Sequence, residues 1–199
     1  MLAYNLNMKA FLVVFLTILL CAGAFAQAGP EQGATEIQLW TAGGHSVAGG
    51  RGNTGIWIAG LRYGWVLTNA HGPGFLKGRF EYAIDAVPVY LIFQPANTAY
   101  GAGLNPVNLK WNFVTRGHVV PYLELSGGTL FTTDEVPPGT STVNFTSAAA
   151  LGVHFLGERH ALTLEARYLH ISNAGLTTPN PGVNTVEVRL GIGRFKKAR

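Results

Sequence analysis

The sequence predicts an all-β protein, an eight-stranded antiparallel transmembrane β-barrel. Three observations predict this fold. The N-terminus has the features of an export signal, and the long stretches after it alternate apolar residues with polar or small ones. The connections between those stretches are alternately short and long. The composition agrees, because only 12% of the 199 residues are charged and the mean hydropathy is +0.22, which is apolar for a soluble protein of this size.

The N-terminus has the three parts of a secretory signal peptide. Lys9 precedes a short apolar run that ends in Ala-Phe-Ala at 24–26, a small-residue cleavage pattern. The run is shorter than the roughly 20 residues that a membrane-spanning helix needs, which disfavours the alternative of a helical anchor. We therefore expect residues 1–26 to be a signal peptide and residues 27–199 to form an outer-membrane barrel. Cys21 lies in the signal, so the exported chain is predicted to contain no disulfide.

Two-faced stretches of ten or more residues predict the strands. Between Val143 and Phe155 one set of alternating side chains is mostly apolar, and the other set is small or polar. Strands of this kind suit a membrane barrel, because lipid solvates the apolar face while the other face packs into a small lumen. The predicted strands are 36–43, 55–67, 78–94, 99–114, 118–132, 143–156, 160–172 and 184–195.

The connections favour a closed barrel. Only a closed sheet satisfies every backbone group in hydrocarbon, so an open sheet is excluded there. Tight turns are predicted at 115–117 and 157–159, on the periplasmic side. Longer segments rich in Gly, Pro and Asn alternate with them, at 43–53, 134–142 and 173–183. The connection at 68–77 departs from this asymmetry, because it is long where a short turn is expected.

Paired charges favour a polar interior. Alternation alone does not say which face points inward, so a soluble lipid-binding barrel with an apolar interior is an alternative. Opposite charges share a face on the last two predicted strands, with Glu165 and Arg167 on one strand and Glu187 and Arg189 on the other. Such pairs suit a small polar lumen. The formal charge of +4 gives no argument for a nucleic-acid partner, and it suits a surface beside anionic lipid headgroups.

His170 and Ser172 form the one pair of residues whose types and spacing suggest catalysis. They are two residues apart on the seventh predicted strand, so their side chains leave the same face, which is the apolar face of Leu164 and Tyr168. Polar groups at the lipid boundary are costly and commonly functional. A histidine beside a serine supplies a base and a nucleophile when a third group orients the imidazole. The alternative is an ordinary polar rim at a strand end.

The motif His-x-Ser-Asn-Ala-Gly-Leu-x-x-Pro-Asn-x-Gly at 170–182 resembles the signature of the PagL family of outer-membrane lipid A 3-O-deacylases. The resemblance implies Ser172 as the nucleophile, His170 as the general base and Asn173 as a donor to the oxyanion. Where the family has a glutamate as the third member of the triad, this chain has Asn184. An Asn oxygen can orient an imidazole, but it lacks the charge that stabilises an imidazolium.

Strand parity decides which polar groups can reach the histidine. Asn184 shares the outward face with Val186 and is therefore placed to reach His170. The nearby acid, Glu187, falls on the opposite face and is expected to point into the lumen. Asn184 is thus the predicted third catalytic residue.

The resemblance implies an esterase that removes an ester-linked 3-O-hydroxyacyl chain from lipid A in the outer leaflet of the bacterial outer membrane. Its substrate is then lipopolysaccharide, and no cofactor is required. The other histidines show no ligand spacing, so no metal site is predicted. A homodimer is compatible with the sequence. The alternative function, favoured by the Asn at position 184, is a non-catalytic eight-stranded outer-membrane barrel with a structural or adhesion role.

Overall fold

The structure, a computed structural model, describes residues 29–197. The predicted signal peptide at 1–26 lies outside the described residues. The described chain forms a closed antiparallel barrel of eight strands, in which each strand pairs with its neighbours in sequence and β1 closes the barrel against β8. The strands are β1 (Ala34–Ser46), β2 (Gly55–Val66), β3 (Gly78–Phe93), β4 (Thr98–Phe113), β5 (Val119–Thr132), β6 (Val143–Leu156), β7 (Ala161–Ser172) and β8 (Val183–Lys197). No helix between residues 29 and 197 is long and apolar enough to cross a membrane.

The predicted fold class and all eight strands are confirmed, with one substantial difference in length. β1 continues through Gly43 and Gly44 to Ser46, whereas the sequence predicts a loop from residue 43. A Cβ at Gly44 would lie 2.1 Å from the Val186 carbonyl oxygen, so only glycine allows β1 to lie this close to β8. As a result, Ser46 pairs with Thr185, and β1 extends to the end of the barrel where β7 and β8 meet.

The side chains that point into the barrel are mostly polar or charged, and they are buried. The Arg62 guanidinium donates to Asp85 (Nε to Oδ1, 2.7 Å) and to Glu124 (Nη2 to Oε1, 2.7 Å). Arg167 donates to the same Glu124 carboxylate at 2.8 Å. A buried ion loses its solvation, so it is tolerated only where partners surround it. These mutual pairs therefore fill the lumen and hold the inner faces of four strands together, β2, β3, β5 and β7.

Large apolar side chains point away from the barrel and are exposed. The most exposed of those on the strands are Leu39, Leu61, Tyr100, Leu125, Phe131, Leu151 and Val188. A soluble barrel with an apolar interior would have the opposite arrangement, so that alternative is wrong. An apolar outer surface around a charged and filled lumen is the arrangement that hydrocarbon requires.

The connections are asymmetric, as predicted, with two departures, of which the sequence indicates the first. The connection between β2 and β3 is long at the short-turn end of the barrel, and it contains a single 3₁₀ turn at Gly74–Leu76. The Leu76 carbonyl accepts a hydrogen bond of 3.1 Å from the indole of Trp111, which holds this connection against β4. At the opposite end, β3 and β4 are joined by a short turn at 94–97. The other loops at that end surround the outward ends of β7 and β8.

Candidate active site

His170 and Asn184 are direct neighbours across the β7–β8 pair. Their Cα atoms are partners in the antiparallel register, and both side chains leave the outward face. Nδ1 of His170 and Oδ1 of Asn184 are 2.6 Å apart, a short hydrogen bond. Asn184 is buried, whereas the imidazole is half-buried and its Nε2 has no hydrogen-bond partner among the described residues. The arrangement leaves Nε2 available to accept a proton.

Ser172 lies on the same outward face, two residues after His170 on β7. Its side chain is half-buried, and its hydroxyl makes no hydrogen bond to His170 or to any other described residue. The structure therefore brings together the histidine and the asparagine but does not bond the serine to the histidine. Hydrogen bonds between a nucleophile and its base are often long before substrate binds and tighten in the complex.

Asn173 is buried, and its side chain is fully used in building the loop after β7. Its Nδ2 donates to the hydroxyl of Thr177 at 2.7 Å and to the Thr177 carbonyl at 3.2 Å, while its Oδ1 accepts from the backbone N–H of Gly175 at 2.9 Å. Ala174 and Gly175 both have positive φ, of 53° and 81°, which the tight turn requires. Direct donation from the Asn173 amide to an oxyanion would require these bonds to break.

Asn180 presents a free amide close to the serine. Its Oδ1 accepts a hydrogen bond of 3.1 Å from the backbone N–H of Asn173, the residue that follows Ser172. Its Nδ2 has no partner within the described residues, and the residue is exposed. The sequence shows Asn180 as part of the motif at 170–182 but predicts no role for its side chain. Its hydrogen bond could not be foreseen, because it depends on the turn that Asn173 builds.

Two further neighbours of the His170–Asn184 pair were not predicted. Ser147 on β6 is its partner on the other side of β7, and the Ser147 side chain is outward and exposed. The loop between β1 and β2 also reaches the site, because the backbone N–H of Val47 donates to the Asn184 carbonyl at 2.8 Å. Neither contact can be read from sequence spacing, since both depend on the register between strands that are far apart in the chain.

The acid nearest to Asn184 in sequence is not available to the site. Glu187 points into the lumen, as predicted, and its Oε1 accepts from the Thr185 hydroxyl at 2.9 Å. It therefore cannot serve as the third member of a triad on the outward face. The described residues contain no group of three or more His, Cys, Asp or Glu side chains that could hold a metal ion.

An apolar groove lies below the site on the lipid-facing surface. It has a volume of about 640 Å³, and its floor includes the small residues Ala149 and Ala166. Ala149 is one outward position from Ser147, and Ala166 is two outward positions from His170. At ~3.3 Å per residue, the groove begins within roughly 13 Å of the imidazole along the strands. The larger walls of the groove are formed by Phe80, Leu109, Trp111, Leu123, Leu125 and Leu151.

Comparison with known proteins gives one family and several structures. The family model described as lipid A 3-O-deacylase (PagL) matches residues 57–193, a span that contains the whole β7–β8 site. The crystal structure of the outer membrane enzyme PagL is similar with 18% identity and a TM-score of 0.59, covering 77% of this chain and 97% of that chain. No curated protein gives a significant match.

Other outer-membrane barrels are similar at the level of the fold. The N-terminal β-barrel domain of Pseudomonas aeruginosa OprF has 14% identity and a TM-score of 0.51, over 81% of this chain and 98% of that chain. Neisserial surface protein A has 16% identity and a TM-score of 0.52, over 81% of this chain and 95% of that chain. At these identities the structural likeness shows the barrel fold alone.

Proposed function

The chain belongs to the PagL family of lipid A 3-O-deacylases, and we propose that it hydrolyses the 3-O-acyl ester of lipid A with Ser172 as nucleophile and His170 as general base. The observation that carries the proposal is the 2.6 Å hydrogen bond between His170 Nδ1 and Asn184 Oδ1 on the lipid-facing surface. A buried polar partner for an outward histidine serves no purpose in lipid packing. It is what an imidazole needs in order to act as a base.

The proposed reaction has two half-reactions. The Ser172 oxygen attacks the ester carbonyl while Nε2 of His170 takes the hydroxyl proton. The tetrahedral intermediate collapses when His170 returns this proton to the departing sugar oxygen, which leaves the acyl group on Ser172 and frees the lipid A hydroxyl. Water then attacks the acyl-enzyme while His170 takes its proton, and the 3-hydroxy fatty acid is released as His170 returns that proton to the Ser172 oxygen.

In this proposal Asn184 orients His170, Asn180 donates a hydrogen bond to the oxyanion, and Asn173 holds Asn180 in place. We assign the unpartnered Nδ2 of Asn180 as the donor to the oxyanion, because Oδ1 of the same amide is held by the backbone N–H of Asn173, the residue after Ser172. Asn173 acts by holding Asn180 and the turn. One such donor contributes about 3 kcal/mol to the transition state in serine hydrolases.

The substrate reaches this site from the bilayer. The lumen is filled by ion pairs, so an acyl chain has no path through it. The apolar groove lies on the lipid-facing surface and reaches from Ala166 on β7 across β6 to β3–β5. We propose that the acyl chain lies in this groove and extends along β6 and β7 to an ester at the rim, near Ser172. The ester therefore stays at the membrane boundary while the acyl chain remains solvated by apolar groups.

Mass spectrometry of lipid A tests the proposal. Cells are compared that carry in their outer membrane the wild-type barrel, Ser172→Ala or the matched control Ser147→Ala, with folding of each barrel verified by its heat-dependent migration on gels. We expect loss of one hydroxyacyl mass with the wild type and with Ser147→Ala, and intact lipid A with Ser172→Ala. Deacylation by Ser172→Ala would reject the assignment of the nucleophile.

A non-catalytic barrel is the second candidate, favoured by the missing hydrogen bond between Ser172 and His170. Labelling by a serine-directed lipophilic phosphonate separates the two functions, because only an activated hydroxyl reacts. An enzyme is labelled at Ser172 and not at Ser147. Unlabelled, folded protein together with unchanged lipid A would establish the structural function.

A further inference from the structure

We infer that the loop between β1 and β2 is a positioning element of the catalytic site. Its Ala48 carbonyl fixes which end of the Asn184 amide faces His170, and this fixes which ring nitrogen of His170 carries the proton. The inference rests on the proposed function of His170 as general base. It explains how an asparagine can stand where an acid is expected.

The contacts that carry the inference join the loop to the start of β8. The backbone N–H of Val47 donates to the Asn184 carbonyl and that of Arg51 to the Gly182 carbonyl, both at 2.8 Å. Between these two bonds, Nδ2 of Asn184 donates to the Ala48 carbonyl at 3.4 Å. The loop is therefore held on both sides of the point where its carbonyl meets the amide.

The side-chain amide of Asn184 has an oxygen end and an NH₂ end, and the Ala48 carbonyl selects which of them faces His170. A carbonyl oxygen attracts the NH₂ end of Asn184 and repels the oxygen end. With the NH₂ end toward Ala48, Oδ1 faces His170 and accepts a hydrogen bond from Nδ1–H. The imidazole then has its proton on Nδ1 and a lone pair on Nε2, which is the form that accepts the Ser172 proton. A flipped amide would donate to Nδ1 and place the ring proton on Nε2, where the base is blocked.

Glycines allow the loop to come this close. Gly49 has a φ of 99°, and a Cβ there would lie 3.0 Å from Nδ2 of Asn184. A Cβ at Gly50 would lie 2.9 Å from the Gly182 carbonyl oxygen. Gly52, in the same loop, has no atom within 4 Å of such a Cβ and no positive φ. Gly49→Ala therefore disturbs the amide contact, and Gly52→Ala is its matched control.

A double-mutant cycle on Gly49 and Asn184 distinguishes orientation of the amide from general support. An aspartate at position 184 presents an oxygen to His170 in either orientation, so it does not need the Ala48 carbonyl. We expect Gly49→Ala to lower kcat/KM by about tenfold or more in the wild-type background, since a wrong tautomer costs ~10⁴ in a serine protease. In the Asn184→Asp background we expect no loss. Equal losses in both backgrounds would overturn the inference, and Gly52→Ala should leave both unchanged.

Nitrogen NMR of the histidine ring tests the inference without activity. Protein labelled with ¹⁵N at histidine is measured in detergent micelles, and His170→Gln identifies the signals of His170. We expect the Nδ1–H form in the wild type and in Gly52→Ala, and a substantial Nε2–H population in Gly49→Ala. An unchanged Nδ1–H form in Gly49→Ala would overturn the inference, whether or not the protein deacylates lipid A. Absent deacylase activity with the expected ring signals would reject the proposed function and leave the positioning intact.

Discussion

Asn184→Ala tests the third position of the site, and its effect can be worked out from the hydrogen bond that it removes. The change deletes the 2.6 Å contact with His170. A neutral hydrogen bond contributes about 0.5–1.5 kcal/mol net, or ~2- to 13-fold in an equilibrium. The freed imidazole also divides between two tautomers, of which one can act as the base. We therefore expect kcat/KM to fall about 5- to 30-fold, far less than the ~3 × 10⁴ in kcat that follows removal of the acid from the subtilisin triad.

The assay is release of 3-hydroxy fatty acid from lipid A in mixed micelles, with the purified, refolded barrel. Val186→Ala is the control, because Val186 shares the outward face and strand with Asn184 but is half exposed and apolar. The loss should appear in kcat rather than in KM, since Asn184 contacts His170 and not the acyl groove. No loss would refute the role of Asn184 as the orienting group. A loss equal to that of Ser172→Ala would refute the argument that a neutral bond is all that the residue supplies.

Three other expectations follow from the lumen, the loop and the groove. Glu124→Ala leaves two buried guanidinium groups without a shared partner, so the free energy of unfolding in urea should fall by about 3–5 kcal/mol, and an unchanged midpoint would contradict the lumen network. Asn180→Ala should lower kcat by ~10²-fold or more while the free energy of unfolding falls by only about 0.5–1.5 kcal/mol, the net contribution of the one hydrogen bond that it removes. Asn173→Ala removes three side-chain hydrogen bonds and should lower stability further. An unchanged kcat with Asn180→Ala would assign Asn180 to the loop instead. Ala149→Trp should raise KM for lipid A and leave hydrolysis of a short-chain ester unchanged, because only the long acyl chain lies in the groove. Equal effects on both substrates would show that the groove does not bind the acyl chain.

The barrel could be predicted from sequence because its rule is local. Period-two alternation assigns each residue of a strand to one face, and it placed Asn184 outward and Glu187 inward without any knowledge of their neighbours. The end of β1 was missed for a local reason too. Gly43 and Gly44 usually indicate a turn, but here both are strand residues, and Gly44 lets β1 lie against β8, a contact between strands at opposite ends of the chain.

The polar contacts of the site could be predicted only in part, because hydrogen bonds follow register and loop geometry rather than spacing. Parity gave the His170–Asn184 pair, since both lie on adjacent regular strands. It could not show that the Asn173 amide is used by Thr177, which depends on the turn at Ala174 and Gly175. It also could not show the Ala48 contact, because a loop has no period that would place its carbonyl groups.

The filled lumen explains why the site lies on the outside of the barrel. Arg62, Arg167 and Glu124 bond one another in the interior, so substrate binding there would have to break charge pairs that have no access to water. Under the proposed function, binding on the outward rim breaks no such pairs, because the acyl chain stays in contact with lipid at the strand surface and only the ester needs polar partners. The antiparallel register of β7 and β8 determines where the two polar side chains lie. It places the His170 and Asn184 side chains side by side at the end of β7 and β8, where the apolar surface ends and loops can supply the remaining hydrogen-bonding groups.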